Sequence, residues 1–186
     1  KFFSVGKTKI YDEKNKSFCS LDKILLKGKH NLSKLIASAT VARILNVDSQ
    51  TIKNTMKNYS GINHRLQTIR KLNGVTYIND SKATNIQSVI VATNSFDCPI
   101  ILILGGKNKN SDFRLLLPHT KRHVKHIVSY GEAGGEIATA IGDAVRLNRV
   151  SSLSQAVASA HKLAAPGDIV LMSPGCASFD QFNNFE

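Results

Sequence analysis

The stretch "NDSKATN" at residues 79–85 sets a carboxylate, two hydroxyls and an ammonium within five positions, directly after the apolar run at 75–78. A solvated turn would account for such a cluster. So would a polar site at the carboxyl end of a parallel strand. Two further segments share the form. "GGKNKNSDF" at 105–113 follows the wholly apolar "PIILIL" and offers backbone amides and two lysines to an anion. "SPGCASFDQF" at 173–182 follows "DIVLM" and carries Ser178, whose hydroxyl and neighbouring amides suit a carboxylate. Upstream, "GINHR" adds His64 and Arg65, and Arg65 fits either an ion pair between domains or a nucleotide phosphate held bidentately. A carboxylate, several cations and hydroxyls at one edge suit an anionic substrate beside a nucleotide. No paired-carboxylate hydrolase, metal cage or Ser-His-Asp triad is visible.

The elements that must position these residues alternate. Strand signals occur at "VTYIN", "PIILILGG", "HIVSYG" and "DIVLMSP", with a weaker one in "VRLNRV". Helical spacing fills the gaps at "IQSVIVATNSF", "DFRLLLPHTKRHV", "GGEIATAIG" and "LSQAVASAHKLA". Continuous apolar strands separated by helices predict a doubly wound, mostly parallel α/β sheet of the Rossmann-like kind. Ligands of such sheets bind beyond the carboxyl ends of the strands, at a switch in strand order. The three polar segments all follow strands, so they are expected at that one edge.

Before residue 63 the character differs. "KFFSVGKTKIYDEKNKSFCSL" predicts a β-ribbon turning at 12–16, and "NLSKLIASATVARILNV" a helix with Asn31 as N-cap. Leu32, Leu35, Ile36, Ala39, Ala42, Arg43 and Leu45 follow its helical spacing, and a second short helix follows Asp48. The domains are therefore drawn at 1–62, the remnant of a preceding domain, and 63–186. "VGKT" at 5–8 mimics a phosphate loop, but Lys1 stands where that motif requires glycine and a turn-rich segment follows instead of a helix.

Bulk properties narrow the class. No apolar run approaches the roughly 18 residues that span a bilayer, and the N-terminal stretch has no signal-peptide core. Cys19, Cys98 and Cys176 lack metal or redox spacing, which fits reduced thiols in a cytoplasmic protein. Cys176 has no partner base and reads as a packed thiol. The net charge of +12 comes largely from scattered lysines without interleaved aromatics, which argues against nucleic acid and fits either small anionic substrates or a lysine- and asparagine-rich proteome. On the residues alone the chain is an anion- or nucleotide-binding α/β domain preceded by part of another domain; a non-catalytic binding module meets the same description.

The motifs "KHNLSK", "GINHRLQTI", "GVTYINDSKATN", "LILGGKNKNSDF" and "LMSPGCASFDQFNNFE", in this order and from about residue 24 onward, resemble the Mur ligase family, and within it the members that add D-glutamate to UDP-N-acetylmuramoyl-L-alanine. Other amino-acid-adding members of the family remain an alternative. The resemblance implies an enzyme that uses ATP and Mg2+ to make an acyl phosphate and then an amide, as a cytoplasmic monomer binding neither nucleic acid nor membrane. It implies that residues 1–62 end a central ATPase domain whose phosphate loop and magnesium ligands precede Lys1, so the chain alone should not turn over. It assigns Asn31, Arg65 and Asp80 to the nucleotide: adenine, phosphates and ribose respectively. It assigns Lys82, Thr84, Lys109, Ser178, Phe179 and Phe185 to D-glutamate, with Lys109 and Ser178 as carboxylate partners and Phe179 acting through its amide. Lys34 stands where such sequences often have a second Asn, and Asn108 where they have glycine. Asparagine tolerates the left-handed conformation expected at position 108.

Overall fold

The computed structural model describes residues 2–26 and 29–184 and divides the chain into two compact units, Lys1–Gly61 and Ile62–Glu186.

In the first unit, β1 (Phe3–Val5), β2 (Lys9–Asp12) and β3 (Ser17–Ser20) form an antiparallel sheet in sequence order. The Asp12 carboxylate closes the predicted turn by accepting from the Lys14 and Lys16 amides. The phosphate-loop mimic is the β1–β2 turn, in which Gly6 N–H donates to the Lys9 carbonyl at 2.8 Å. Helices α1 (Lys29–Ile44) and α2 (Ser49–Asn58) follow. Asp48 caps α2 by accepting from the Gln50 and Thr51 amides. Asn31 is not an N-cap: α1 already begins at Lys29, which puts Asn31 inside its first turn. Leu35 and Ala39 of α1 pack with Ile10, Ile52 and Met56, whereas Leu45, just past the helix end at Ile44, is 71% exposed.

In the second unit the strands are β4 (Gln67–Leu72), β5 (Val75–Asn79), β6 (Ile100–Gly105), β7 (Val124–Tyr130), β8 (Leu147–Arg149) and β9 (Ile169–Gly175). Their order among the described residues is β4-β5-β9-β6-β7-β8; every pairing is parallel except β4 with β5. Helices α3 (Ile86–Thr93), α4 (Leu117–His123), α5 (Gly134–Ile141) and α6 (Leu153–Leu163) lie between the strands. The pleat divides β6 between two cores. Ile100, Leu102 and Leu104 face α3 and α5, while Ile101 and Ile103 face α6. This is the expected doubly wound α/β sheet. It has one unexpected strand, β4, whose residues are mostly exposed and whose partner follows through the tight turn at Asn73 and Gly74, both at positive φ.

The chain passes from β5 to β6 and returns later to lay β9 between them. That insertion is the switch in strand order, and it brings the segments after β5, β6 and β9 to one edge.

Leu102 is fully buried at the centre of the α3–α5 core. Leu102→Ala should therefore cost about 2–5 kcal/mol, read as a lower midpoint in urea unfolding monitored by circular dichroism. An unchanged midpoint would show that this core does not govern the transition.

Candidate functional site

The turn at 79–85 is built by its own side chains. Asn79 Oδ1 accepts from Ser81 N–H at 2.9 Å, and Asn79 Nδ2 meets His64 Nδ1 at 3.0 Å. Lys82 N–H donates to the His64 carbonyl at 3.1 Å, and Asn85 caps α3 by accepting from Ser88 N–H. The 62–67 turn is thus fastened against the end of β5.

Asp80 is the main fastener. It is 4% exposed, with Oδ1 accepting from Leu66 N–H at 3.0 Å and Oδ2 from the fully buried Ser173 hydroxyl at 2.8 Å. His64 and Leu66 both have positive φ, so this carboxylate helps hold a strained turn that presents Arg65 between them. Burial raises the Asp80 pKa; the Ser173 and Leu66 hydrogen bonds and the Arg65 charge oppose that rise without cancelling it. The carboxylate expected at the nucleotide is therefore turned inward in this structure. Both of its oxygens already have protein donors.

β6 ends at Gly105 and the segment after it begins with Gly106, both at positive φ. A Cβ at Gly106 would lie 2.3 Å from the Ala177 carbonyl oxygen, so only glycine permits this approach. The approach matters because Lys107 and Ala177 exchange backbone hydrogen bonds at 2.7 and 3.1 Å, joining this segment to the one after β9. Asn108 does not take the left-handed conformation expected of it; Asn110 does, at φ 60°. Asn108 instead braces the turn, accepting from Ser111 N–H and donating to Glu136 Oε2.

The segments after β5 and β9, with His64, Tyr130 and Leu153, frame a cavity of about 480 Å³, whereas no residue of the segment after β6 lines it. Its wall includes Lys82, Thr84 and Ser178, three of the residues expected at the amino-acid substrate. Arg65, Asp80, Lys109 and Phe179 are not in the wall. Lys109 and Phe179 are exposed, with the Lys109 ammonium 5.7 Å from the centre of the Phe179 ring. Asn31 lies in the first unit, and Phe185 lies outside the described residues.

Sequence reasoning did not single out Asn79, Tyr130, Leu153, Met172 or Phe182, which also line the cavity. Tyr130 ends β7 and Leu153 begins α6, so only the strand order could have brought them here. Burial, then the negative charges of Asp180 and Glu136, push the Cys176 thiol up to about 12. Burial and the Asp180 charge likewise raise the Tyr130 phenol. Both stay protonated near neutrality, so Cys176 is a packed thiol of the wall and not a nucleophile. Among the described residues, no three His, Cys, Asp or Glu side chains converge to hold a metal ion.

The model of the Mur ligase glutamate ligase domain matches residues 64–176, which carry most of this edge though not Ser178. The chain belongs to the Mur ligase family. This Mur ligase chain is 36% identical over 176 residues to the UDP-N-acetylmuramoylalanine–D-glutamate ligase of Salinibacter ruber, covering 94% of the chain and 38% of the relative. It is 43% identical over 167 residues to the enzyme of the same name from Natranaerobius thermophilus, covering 88% and 36%. The chain thus spans less than two fifths of the length of these relatives. Among solved structures it resembles MurF from Acinetobacter baumannii, with TM-score 0.71, 17% identity and coverage of 94% and 40%. A Mycobacterium tuberculosis folylpolyglutamate synthase complexed with ADP and AMPPCP gives 0.69, 16%, 94% and 46%. These two likenesses show the fold.

The raised Asp80 pKa has a direct consequence. Ionised Asp80 costs more in the folded than in the unfolded protein, so its contribution favours folding below the ordinary value of 3.8 and is lost as pH rises through the raised folded value. Asp80→Asn keeps an acceptor for Leu66 N–H and can donate to Ser173 Oγ. Its melting temperature should match or exceed that of the parent at pH 7, and any advantage should vanish below pH 3.8. A variant less stable at pH 7 than at pH 3.5, relative to the parent, would reverse the sign.

Proposed function

We propose that this chain is the D-glutamate-binding and nucleotide-contacting part of an ATP-dependent ligase that extends UDP-N-acetylmuramoyl-L-alanine in peptidoglycan precursor synthesis. One observation carries the reading: Lys82 and Thr84 after β5 and Ser178 after β9 line one cavity at the carboxyl edge of the sheet. An ammonium and two hydroxyls in a partly apolar wall fit a small dicarboxylic amino acid. The names of the relatives from Salinibacter ruber and Natranaerobius thermophilus support that ligand.

In the proposed reaction the terminal phosphoryl group of ATP passes to the alanyl carboxylate, giving ADP and an acyl phosphate. The D-glutamate amine attacks the acyl carbon. The tetrahedral intermediate loses a proton from nitrogen and expels inorganic phosphate, leaving the amide. Phosphorylation turns a poor leaving group into a good one, and the residues of this chain bind and orient the nucleophile. Ser178 donates its hydroxyl to a D-glutamate carboxylate, beside the Phe179 amide. Lys82 and Thr84 engage from the opposite wall, and Lys109 leaves the Phe179 ring to pair with a carboxylate. Phe185 completes this set as an apolar neighbour.

On the nucleotide side, Arg65 contacts phosphate, Asn31 lies near the adenine, and Asp80 serves by holding the Arg65 turn. Magnesium ligands and the phosphate loop are assigned to the part of the relatives' length outside this span. The same reading makes the protein a cytoplasmic monomer.

The test is phosphate release by the full-length protein with ATP, magnesium, UDP-N-acetylmuramoyl-L-alanine and a panel of amino acids. Release should be confined to D-glutamate, and the 186-residue chain alone should give none. Release with a different amino acid would keep the family and change the substrate; no release with any would leave a binding module. Within an active protein, Lys109→Ala should raise the D-glutamate KM by about tenfold or more while changing the ATP KM less than about twofold. Equal changes in both would remove Lys109 from the D-glutamate side.

A further inference from the structure

The segment carrying Ser178 is not held by β9 alone. Beyond the strand it folds into a turn in which the Ser178 carbonyl accepts from the Gln181 and Phe182 amides at 3.1 and 3.0 Å. That turn is tied at two points to loops that end other strands. Asp180 Oδ2 accepts from Glu132 N–H, beyond β7, at 3.1 Å. The Gln181 side chain reaches the loop between β8 and α6 with both ends of its amide: Oε1 accepts from Leu153 N–H at 2.9 Å, and Nε2 donates to the Ser151 carbonyl at 2.7 Å.

The second tie is chemically specific. Leu153 is the first residue of α6, and its N–H is one of the donors that a helix start leaves without an intrahelical acceptor. The local cap, Ser152, uses its side chain on Gln155 N–H instead. Gln181 supplies the missing acceptor from 28 residues away in sequence and takes the adjacent carbonyl at the same time. A primary amide has both a donor and an acceptor at the required separation; a carboxylate, an ammonium or a hydroxyl cannot place both there.

Leu153 and Ser178 both line the cavity. We propose that Gln181 is a positioning residue for the acceptor amino acid: its amide staples the loop bearing Ser178 to the start of α6 bearing Leu153, and so fixes the width of the cavity between them. Gln181 itself does not line the cavity. The role rests on the D-glutamate reading of the site given above. Its effect belongs to the amino-acid side, because the two residues it spaces, Leu153 and Ser178, line the cavity and Arg65 does not.

The experiment uses the full-length protein with Gln181→Met, which keeps length and removes both hydrogen bonds, and Gln181→Glu, which keeps the acceptor for Leu153 and loses the donor to Ser151. Gln181→Met should raise the D-glutamate KM about tenfold, the size expected for hydrogen bonds that set geometry. The ATP KM should stay within about twofold. Gln181→Glu should fall between parent and Gln181→Met. Hydrogen exchange at the Leu153 amide should accelerate in Gln181→Met while the amides of β6 keep their protection. Unchanged D-glutamate KM, a parallel rise in both KM values, or unchanged Leu153 exchange would each overturn the role. Failure of the functional reading shows separately, as a parent protein that releases no phosphate with D-glutamate. In that event the positioning role falls with it, whatever the exchange at Leu153.

Discussion

The pairing of β9 with β5 on one side and β6 on the other is the constraint on which the rest of the second unit depends. Ile169 stands opposite Thr76 and Ile100 together, and Leu171 opposite Ile78 and Leu102. With that register fixed, the residues just past each strand must emerge side by side. The polar groups collect there because the strand interiors have no room for them: β6 is buried along its whole length between two layers of helix. The Lys107–Ala177 backbone bridge, which glycine at 106 permits, continues the sheet's pairing into the site itself.

Legibility followed burial. The strands β5, β6, β7 and β9 were readable because a short apolar run bounded by polar turns, in a chain that alternates with helical spacing, fits a covered strand better than any other element. The strand β4 was not, since "QTIRKL" on an exposed edge shows no core pattern; its charged Arg70 and Lys71 are the kind of residues that discourage edge pairing with other chains. Its one local signal is the Asn73-Gly74 pair, which suits a hairpin turn. Of the residues expected at the amino-acid substrate, Lys82, Thr84 and Ser178 line the cavity. The sequence could not tell that Lys109 would lie on Phe179 rather than in the wall, because side-chain direction in a loop has no period to read. Leu153 and Tyr130 carry no chemical signature and belong to the site through topology alone.

Asp80 joins the two demands on the molecule. A carboxylate buried against Leu66 N–H and Ser173 Oγ is a costly way to hold a turn, as the direction of its pKa shift records. A neutral amide could hold the same turn at lower cost. A carboxylate, however, also carries a charge that the Arg65 guanidinium feels, and Arg65 is the proposed phosphate ligand. The cost in stability is then set against a turn whose backbone holds Arg65 between two positive-φ residues.

The position of β9 also shapes how the sheet assembles in time. Thr76 must wait for Ile169 before the sheet can close, and until then β5 and β6 each present an unpaired edge. Closing so long a loop is entropically slow, and ordering of the cavity can only follow it. A chain with β5 and β6 formed and β9 absent would hold apolar strands around a vacant central slot, an arrangement exposed to strand-mediated aggregation. One strand thus both completes the cavity wall and covers the edges that would otherwise invite a foreign strand.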